Sequence, residues 1–419
     1  MLQRLKNYFK TNRLKIALYI ITVAVSAILL VIGHKITYQK ETMFLGGYDD
    51  GACHATVTEV VSSEVDKHFI DGEIIGEDIT IVFKCKITDG ELKGQTVEGM
   101  ESISAFDSVK LDPVKKGDKI LIIATEDEEY DWYLYDYDRS LPLWILGLTF
   151  VGLVLLFGRT KGIHTLISLG YTCAAVFFVF VPSVLSGGNI YFWSIVTCIY
   201  ILVMTLTINE GYNKKTLAAI IGCASGVIVS GLLTVISSHF LNMSGVTGDD
   251  SINLIMNFDI DLNALIFAGI ILGAVGAVED VAVSISSSLK ELHEQVENPS
   301  FGSLVKSGIN IGRDIMGSMA NTLVLAYIGC ELSATLLQVM YSSSVSTLFS
   351  REKIVAELLQ ALVGSIGILL AVPLTAVVSA ALYTNFGFKR KQKPVDPTAD
   401  KYYVEPAEEP SLFEKSDEQ

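Results

Sequence analysis

Eight runs of apolar residues decide where most of this chain can fold. They occupy 16–32, 141–157, 163–181, 190–208, 217–237, 262–284, 315–340 and 354–382. Each approaches or exceeds the roughly 20 residues needed to cross a hydrocarbon core about 30 Å thick. No water reaches that core, so every backbone N–H and C=O must find a partner inside the segment, which makes each run an expected α-helix. Half of the 419 residues are hydrophobic and the mean hydropathy is +0.46, too apolar for one soluble domain. The predicted class is a polytopic α-helical membrane protein with about eight transmembrane helices.

One stretch breaks that pattern. Between Lys35 and Arg139 lie about half of the chain's 46 acidic residues but only about a third of its 31 basic ones. A soluble segment this acidic argues against nucleic acid as a partner. Its apolar residues recur with period two in ATVTEVV, DITIVFKCKI, QTVEGM, KILIIAT and WYLYDY. Turns are marked at Asp71-Gly72, Asp89-Gly90 and Gly117-Asp118. Residues 46–138 are therefore expected to form a small all-β domain, an OB-like antiparallel barrel. Of six cysteines, Cys173, Cys198, Cys223 and Cys330 fall in apolar runs and read as small hydrophobes. Cys53 and Cys85 fall in the β segment, where a disulfide between them is one option and two free thiols the other. No CxxC or Cys/His spacing occurs, so no metal site is expected, and no cofactor motif appears.

Charge orients the helices. The basic start MLQRLKNYFKTNRLK, residues 1–15, precedes the first apolar run, and no small-x-small cleavage site precedes His34-Lys35. Residues 16–33 are thus expected as an uncleaved membrane anchor. Eight crossings place Arg159-Lys161, Lys214-Lys215, Lys290, Lys306, Arg313 and the Lys389–Lys393 cluster in the cytoplasm. The same count leaves the acidic barrel, Asp249-Asp250, Asp259 and Asp261 outside, and only Arg351 and Lys353 break the rule. Both termini are then cytoplasmic and the β domain extracytoplasmic. A seven-helix bundle follows at 141–384, and the Pro-bearing acidic residues 389–419 read as a disordered cytoplasmic tail.

The helix at 262–284 carries two adjacent carboxylates, Glu279 and Asp280. An ionised side chain at bilayer depth costs at least about 2.5–3.5 kcal/mol on insertion scales, so such residues mark candidate sites. Helical spacing aligns Asp280 with Gly273, Gly276, Ser284 and Ser287. Glu279 falls with Leu272, Val275, Ala282 and Val283. Asp280 is therefore expected to face the bundle interior, with Glu279 at a boundary or paired to Arg313. On the next helix Asp314, Gly317, Ser318 and Asn321 share a face, and Tyr327, Glu331, Thr335 and Gln338 extend a second polar line. Asp280, Arg313, Asp314 and Asn321, with Glu279 beside them, form the candidate polar or transport site. The rival reading makes the same residues a structural network. Gly269, Gly273, Gly276 and Gly317, like the pairs Gly222/Gly226 and Gly364/Gly367, are expected to pack helices closely. Pro182 and Pro373 are candidate kinks.

Catalytic templates do not fit. His293-Glu294 begins like HExxH, but Glu297 stands at the second histidine position. There is no GxxxxGK loop, and Ser225 and Ser244 lack a nucleophile elbow. No catalytic residue is assigned, and the chain is not expected to be an enzyme.

Five segments together carry a resemblance: GIILGAVGAVEDVAVSISSSLKEL at 269–292, Asn298-Pro299, SGINIGRDIMGSMANTLVLAY at 307–327, NEGYNKKTLAAIIG at 209–222 and DRSLPLW at 138–144. The chain resembles the YibE/F family of bacterial multi-pass membrane proteins, and its β segment makes it similar to the longer, YibE-like members. The resemblance carries hallmark status onto Gly273, Gly276, Asp280, Glu291, Pro299, Gly308, Gly312, Arg313, Asp314, Gly317, Asn321 and Thr322. Glu279 departs from the pattern, which the resemblance reads as making it less central. It also implies a bacterial cell membrane location and a membrane complex, either a homo-oligomer or a pairing with a shorter YibF-type protein. It brings no established reaction. Two functions are expected from the whole: passage of a small solute or ion through the polar site, or a non-transporting envelope scaffold whose β domain docks a partner protein.

Overall fold

The computed structural model describes residues 13–38, 51–70, 73–104, 112–124, 131–258 and 260–384. The first twelve residues, Asp259 and the tail expected at 389–419 lie outside the described residues.

The β segment folds as anticipated. Strands β1 (Cys53–Ile70), β2 (Glu73–Ile87), β3 (Thr96–Ile103), β4 (Lys119–Ala124) and β5 (Trp132–Tyr137) close into a barrel in the order β1-β2-β3-β5-β4. Every pairing is antiparallel except β3 with β5. Alternation along β2 sends Ile81, Phe83, Cys85 and Ile87 inward and leaves Lys84 and Lys86 exposed. Gly99 on β3 lets the Phe83 ring lie close, since a Cβ there would meet the ring at 3.1 Å and the ring would have to shift. The disulfide question resolves toward free thiols. Cys85 faces Val57 across β1 and β2, whereas Cys53 faces Ile122 on β4. Burial pushes the Cys85 thiol up to about 11.

A carboxylate lies inside this small core. Glu101 is 4% exposed; its Oε2 accepts from the Val114 N–H at 2.9 Å, while Oε1 has no partner among the described residues. Burial raises its pKa above the ordinary 4.5, against the lowering effect of the Val114 bond. The folded barrel therefore holds the Glu101 proton more tightly than the unfolded chain, so this group costs stability as pH rises above about 4.5. Glu101→Gln should remove that loss. Hydrogen exchange of the barrel amides, compared between pH 5 and pH 7.5, should show the wild type losing more protection than the variant.

The barrel joins the helix that follows it with almost no slack. Helix α1 (Arg13–Thr37) precedes it, and α2 (Ser140–Ala175) begins three residues after β5. Asp138 accepts from the Ser140 N–H at 2.9 Å and its Oδ2 lies 3.5 Å from His54 Nδ1 on β1. Its own N–H bonds Lys119 O on β4. The Ser140 bonds hold the Asp138 carboxyl below its usual range.

Helix α2 is not one straight rod. Arg159 has φ 50° and ψ −124°, and a Cβ on Gly162 would collide with the Val154 carbonyl. Residues eight apart in a straight helix stand about 12 Å from each other, so the chain doubles back at Arg159. The second arm runs through a π-helical turn (Val176–Phe180) into α3 (Val181–Leu185), whose first turn holds Pro182. Next come α4 (Ile190–Glu210), α5 (Lys214–Phe240), α6 (Asp249–Asn257), α7 (Leu262–Gln295), α8 (Phe301–Cys330), α9 (Leu332–Met340), α10 (Val345–Leu348) and α11 (Glu352–Thr384). Asn189, Asn213, Asp261 and Ser300 cap α4, α5, α7 and α8.

Six helical stretches are long and apolar enough to cross a membrane, or seven if α8 and α9 count as one bent span. One of the six is the folded-back Ser140–Leu185. The run expected at 315–340 is therefore corrected. Its helix begins at Phe301 and bends by 68° at Glu331, so the polar line from Tyr327 to Gln338 does not continue along one axis. Lys353, which broke the charge rule, pairs with Glu331 at 3.4 Å, and Arg351 donates to the Tyr341 carbonyl at 3.3 Å.

Helix α7 sits at the centre, with Ile271, Ala274, Val275, Val278, Val281, Ala282, Ile285 and Leu289 all buried. Helices α5 and α11 cross each other at backbone distance and both pack on it. A Cβ on Gly226 would lie 2.9 Å from both the Gly367 carbonyl and Val278 Cγ1, and one on Gly222 would overlap Thr375. Gly308 and Gly312 likewise seat α8 against Ala376 and Val372 on α11. Gly269, Gly276 and Gly317, expected as packing positions, instead face open space, and Gly273 meets only the Tyr327 hydroxyl end and Gln360. Helical spacing identified the stripe but not which side the partner helix takes. Gly226→Val should cost about 1–3 kcal/mol by overpacking and lower the thermal midpoint in detergent, whereas Gly276→Ala should leave it unchanged.

Candidate functional site

Two faces of α7 carry the two carboxylates, and their roles are the reverse of the expectation. Glu279 points into the bundle and is mostly buried, while Asp280 is exposed with Gly273 and Gly276. The reason is the set of neighbours. The Val275, Val278, Ala282 stripe packs α5 and α11, which turns the adjacent Glu279 toward α4.

There Glu279 Oε1 stands 3.0 Å from Thr205 Oγ1. The same hydroxyl lies 2.7 Å from the Ile201 carbonyl. Thr205 has one hydroxyl hydrogen and two acceptors in reach, so the bond depends on the state of the acid. With Glu279 ionised, Thr205 donates to the carboxylate. With Glu279 protonated, the acid donates to Thr205, which then donates to Ile201. One partner thus accommodates both states of the carboxyl. Arg313, proposed as its counter-ion, is exposed on α8 and makes no ion pair with it.

The remaining candidates gather on one surface without bonding to each other. Gly273 of α7 faces Tyr327 of α8, and Leu289 faces Gly308. This antiparallel register puts Asp280 level with the Ser318–Asn321 stretch, and Arg313 about 9 Å further along the axis. Asp280, Arg313, Asp314, Gly317, Ser318, Asn321 and Thr322 are all exposed. The inner face of α8, from Leu304 through Gly308 and Gly312 to Leu323, is the one that meets α7 and α11. Among the described residues no hydrogen bond or ion pair links Asp280, Arg313, Asp314 and Asn321, so the structural-network reading finds no bonds to support it.

The polar face continues toward the ends of α7 and α8 far from the barrel. On α7, Asp280, Ser284, Ser288 and Glu291 recur at helical spacing, and on α8 so do Ser307, Asn310, Asp314, Gly317 and Asn321. Between their ends lies an open cleft of about 470 Å³ lined by Ser288, Glu291, Gln295, Ser307 and Asn310. Among the described residues no group of three or more His, Cys, Asp or Glu side chains is placed to hold a metal ion. Sequence reasoning missed Thr205, because a threonine in an apolar helix usually bonds only its own backbone.

Thr205→Val should leave Glu279 without its partner and lower stability by about 1–3 kcal/mol. Adding Glu279→Leu should recover most of that loss, since replacing both partners by apolar groups is close to neutral. Thermal unfolding of the two single variants and the double variant in detergent at neutral pH checks both outcomes.

No curated protein and no solved structure matches the chain. A family model described as YibE/F-like protein matches residues 146–385, beginning just past the barrel and covering every helix from within α2 to the end of α11. That span is more than half of the 419 residues, and it contains both carboxylates, the polar face of α8 and the glycine contacts of the bundle. The chain belongs to the YibE/F family of membrane proteins.

Proposed function

We propose that this membrane protein passes a small ion or polar solute along the groove between α7 and α8, with a second chain closing the groove against lipid. The observation that carries this reading is the exposed polar face itself. Charged and amide side chains on two membrane-length helices are costly against acyl chains, and a second copy or a shorter family relative would shelter them. Polar lining is continuous from the cleft at Glu291 and Asn310 to Asp280 and Asn321. Glu279, one residue from Asp280 and held by Thr205 in either protonation state, supplies a group able to couple passage to proton uptake.

In this reading the two arms of the Ser140–Leu185 stretch are separate crossings, and α8 with α9 is one bent crossing. The count is then eight, with both termini in the cytoplasm and the barrel outside the cell membrane. Lysine and arginine at the barrel-distal helix ends support that orientation.

A second reading rests on the barrel. It has its own closed core, and Val60, Val61 and Val65 on β1 are exposed. A non-transporting scaffold would use that surface to dock an envelope protein.

Reconstitution in vesicles separates the two. Asp280→Ala should lower proton or monovalent-cation flux at least tenfold, and Asp280→Asn should do the same, with thermal midpoints unchanged. Wild-type flux in both folded variants would sink the transport reading. Removal of residues 51–138 with flux retained would place transport in the bundle alone; loss of the cellular phenotype with the bundle intact would favour docking.

A further inference from the structure

At the barrel-distal end of the bundle a second pocket lies on the other side of α7 from the polar groove. It encloses about 340 Å³ where the start of α5 and the ends of α7 and α11 meet. Lys214 and Lys215 come from α5, Lys290, His293 and Glu294 from α7, and Tyr383 from α11. Three lysines thus meet two carboxylates, Glu294 in the lining and Glu210 at its edge. Lys290 reaches Glu294 only at 3.9 Å, and Lys214 Nζ is steered in by the Leu382 carbonyl at 2.8 Å. Lys215 is paired with Glu210, at the pocket's edge.

Two further features ask for an acceptor. His293 stacks on Tyr383 with ring centroids 5.4 Å apart and planes 20° from parallel, which fixes the imidazole. Its Nδ1 is buried and, among the described residues, has no hydrogen-bond partner; carrying the ring proton, it is a donor. A buried unpaired ring nitrogen costs free energy unless something bonds it. The pocket also opens on the N-terminus of the 27-residue α5, where Asn213 takes the Thr216 N–H. The N–H of Lys215 has no acceptor among the described residues. A helix N-terminus, flexible ammonium groups and a fixed imidazole are a donor set for phosphate.

We propose that this pocket binds a phosphate-bearing anion at the membrane surface. Two sources share that chemistry: the headgroup of an acidic phospholipid, and free phosphate or diphosphate. Basic pockets between helix ends suit acidic headgroups, and the tyrosine at the same level is typical of the interfacial zone.

The test uses the full chain in phosphatidylcholine nanodiscs. One arm adds phosphatidylglycerol or cardiolipin; the other adds inorganic phosphate or pyrophosphate without acidic lipid. Thermal midpoint and, for the lipid arm, retained lipid by native mass spectrometry are read. A rise in midpoint in either arm is expected, and the arm that responds identifies the source. Lys215→Gln with Lys290→Gln should reduce retention, or raise the concentration giving half the midpoint shift, at least fivefold. His293→Phe, which keeps the stack and removes the nitrogen, should do so two- to threefold. Glu294→Gln should act in the opposite direction, about twofold, which guards against simple unfolding. Lys161→Gln should change nothing. No response in either arm, or equal binding in the wild type and in all three pocket variants, overturns the proposal.

Discussion

The bundle depends on backbone-to-backbone contact between α5 and α11 against α7. Lipid tails are as apolar as leucine, so burying aliphatic side chains does not by itself draw spanning helices together. What does is close dispersion contact, and that requires helices without bulk at the crossing. Gly222 and Gly226 supply it on one helix, Gly367 on the other, with Val278 of α7 filling the space above them. Once those three helices are set, the outward and inward faces of α7 are set too. The fate of both acids follows from the crossing, not from the acids themselves.

Much of this architecture could be read from the amino-acid order. Apolar runs located the helices, and period-two alternation with Asp-Gly turns located the barrel. Both signals are local, and both survive folding unchanged. The positions that went astray are those where a local pattern is silent about direction. Asp280, Gly273 and Gly276 do share a face, as their spacing requires, yet spacing cannot say whether a partner helix or open space lies opposite. Glu279 looked peripheral among aliphatic neighbours, and those neighbours are what bury it. The break at Glu331 carries no proline or glycine at that residue. Pro373, by contrast, sits inside an uninterrupted α11.

The polar residues outside the groove show a related division. The pocket formed by Lys214, Lys215, Lys290 and His293 draws on segments far apart in the chain, and only the fold of α5, α7 and α11 assembles it. Its lysines first served as a topological signal. Their abundance at one set of helix ends has two physical consequences at once, an orientation and a concentrated positive potential.

The junction between barrel and helices has a mechanical side. Asp138 is tied to β1 through His54, to β4 through Lys119 and to α2 through Ser140, so no flexible tether intervenes. The helical arm that starts there, up to the reversal at Arg159, is exposed along almost its whole length and leans on little else in this chain. A load applied to the barrel therefore cannot dissipate in a slack connection. It is delivered as torque to the arm of α2 that starts at Ser140.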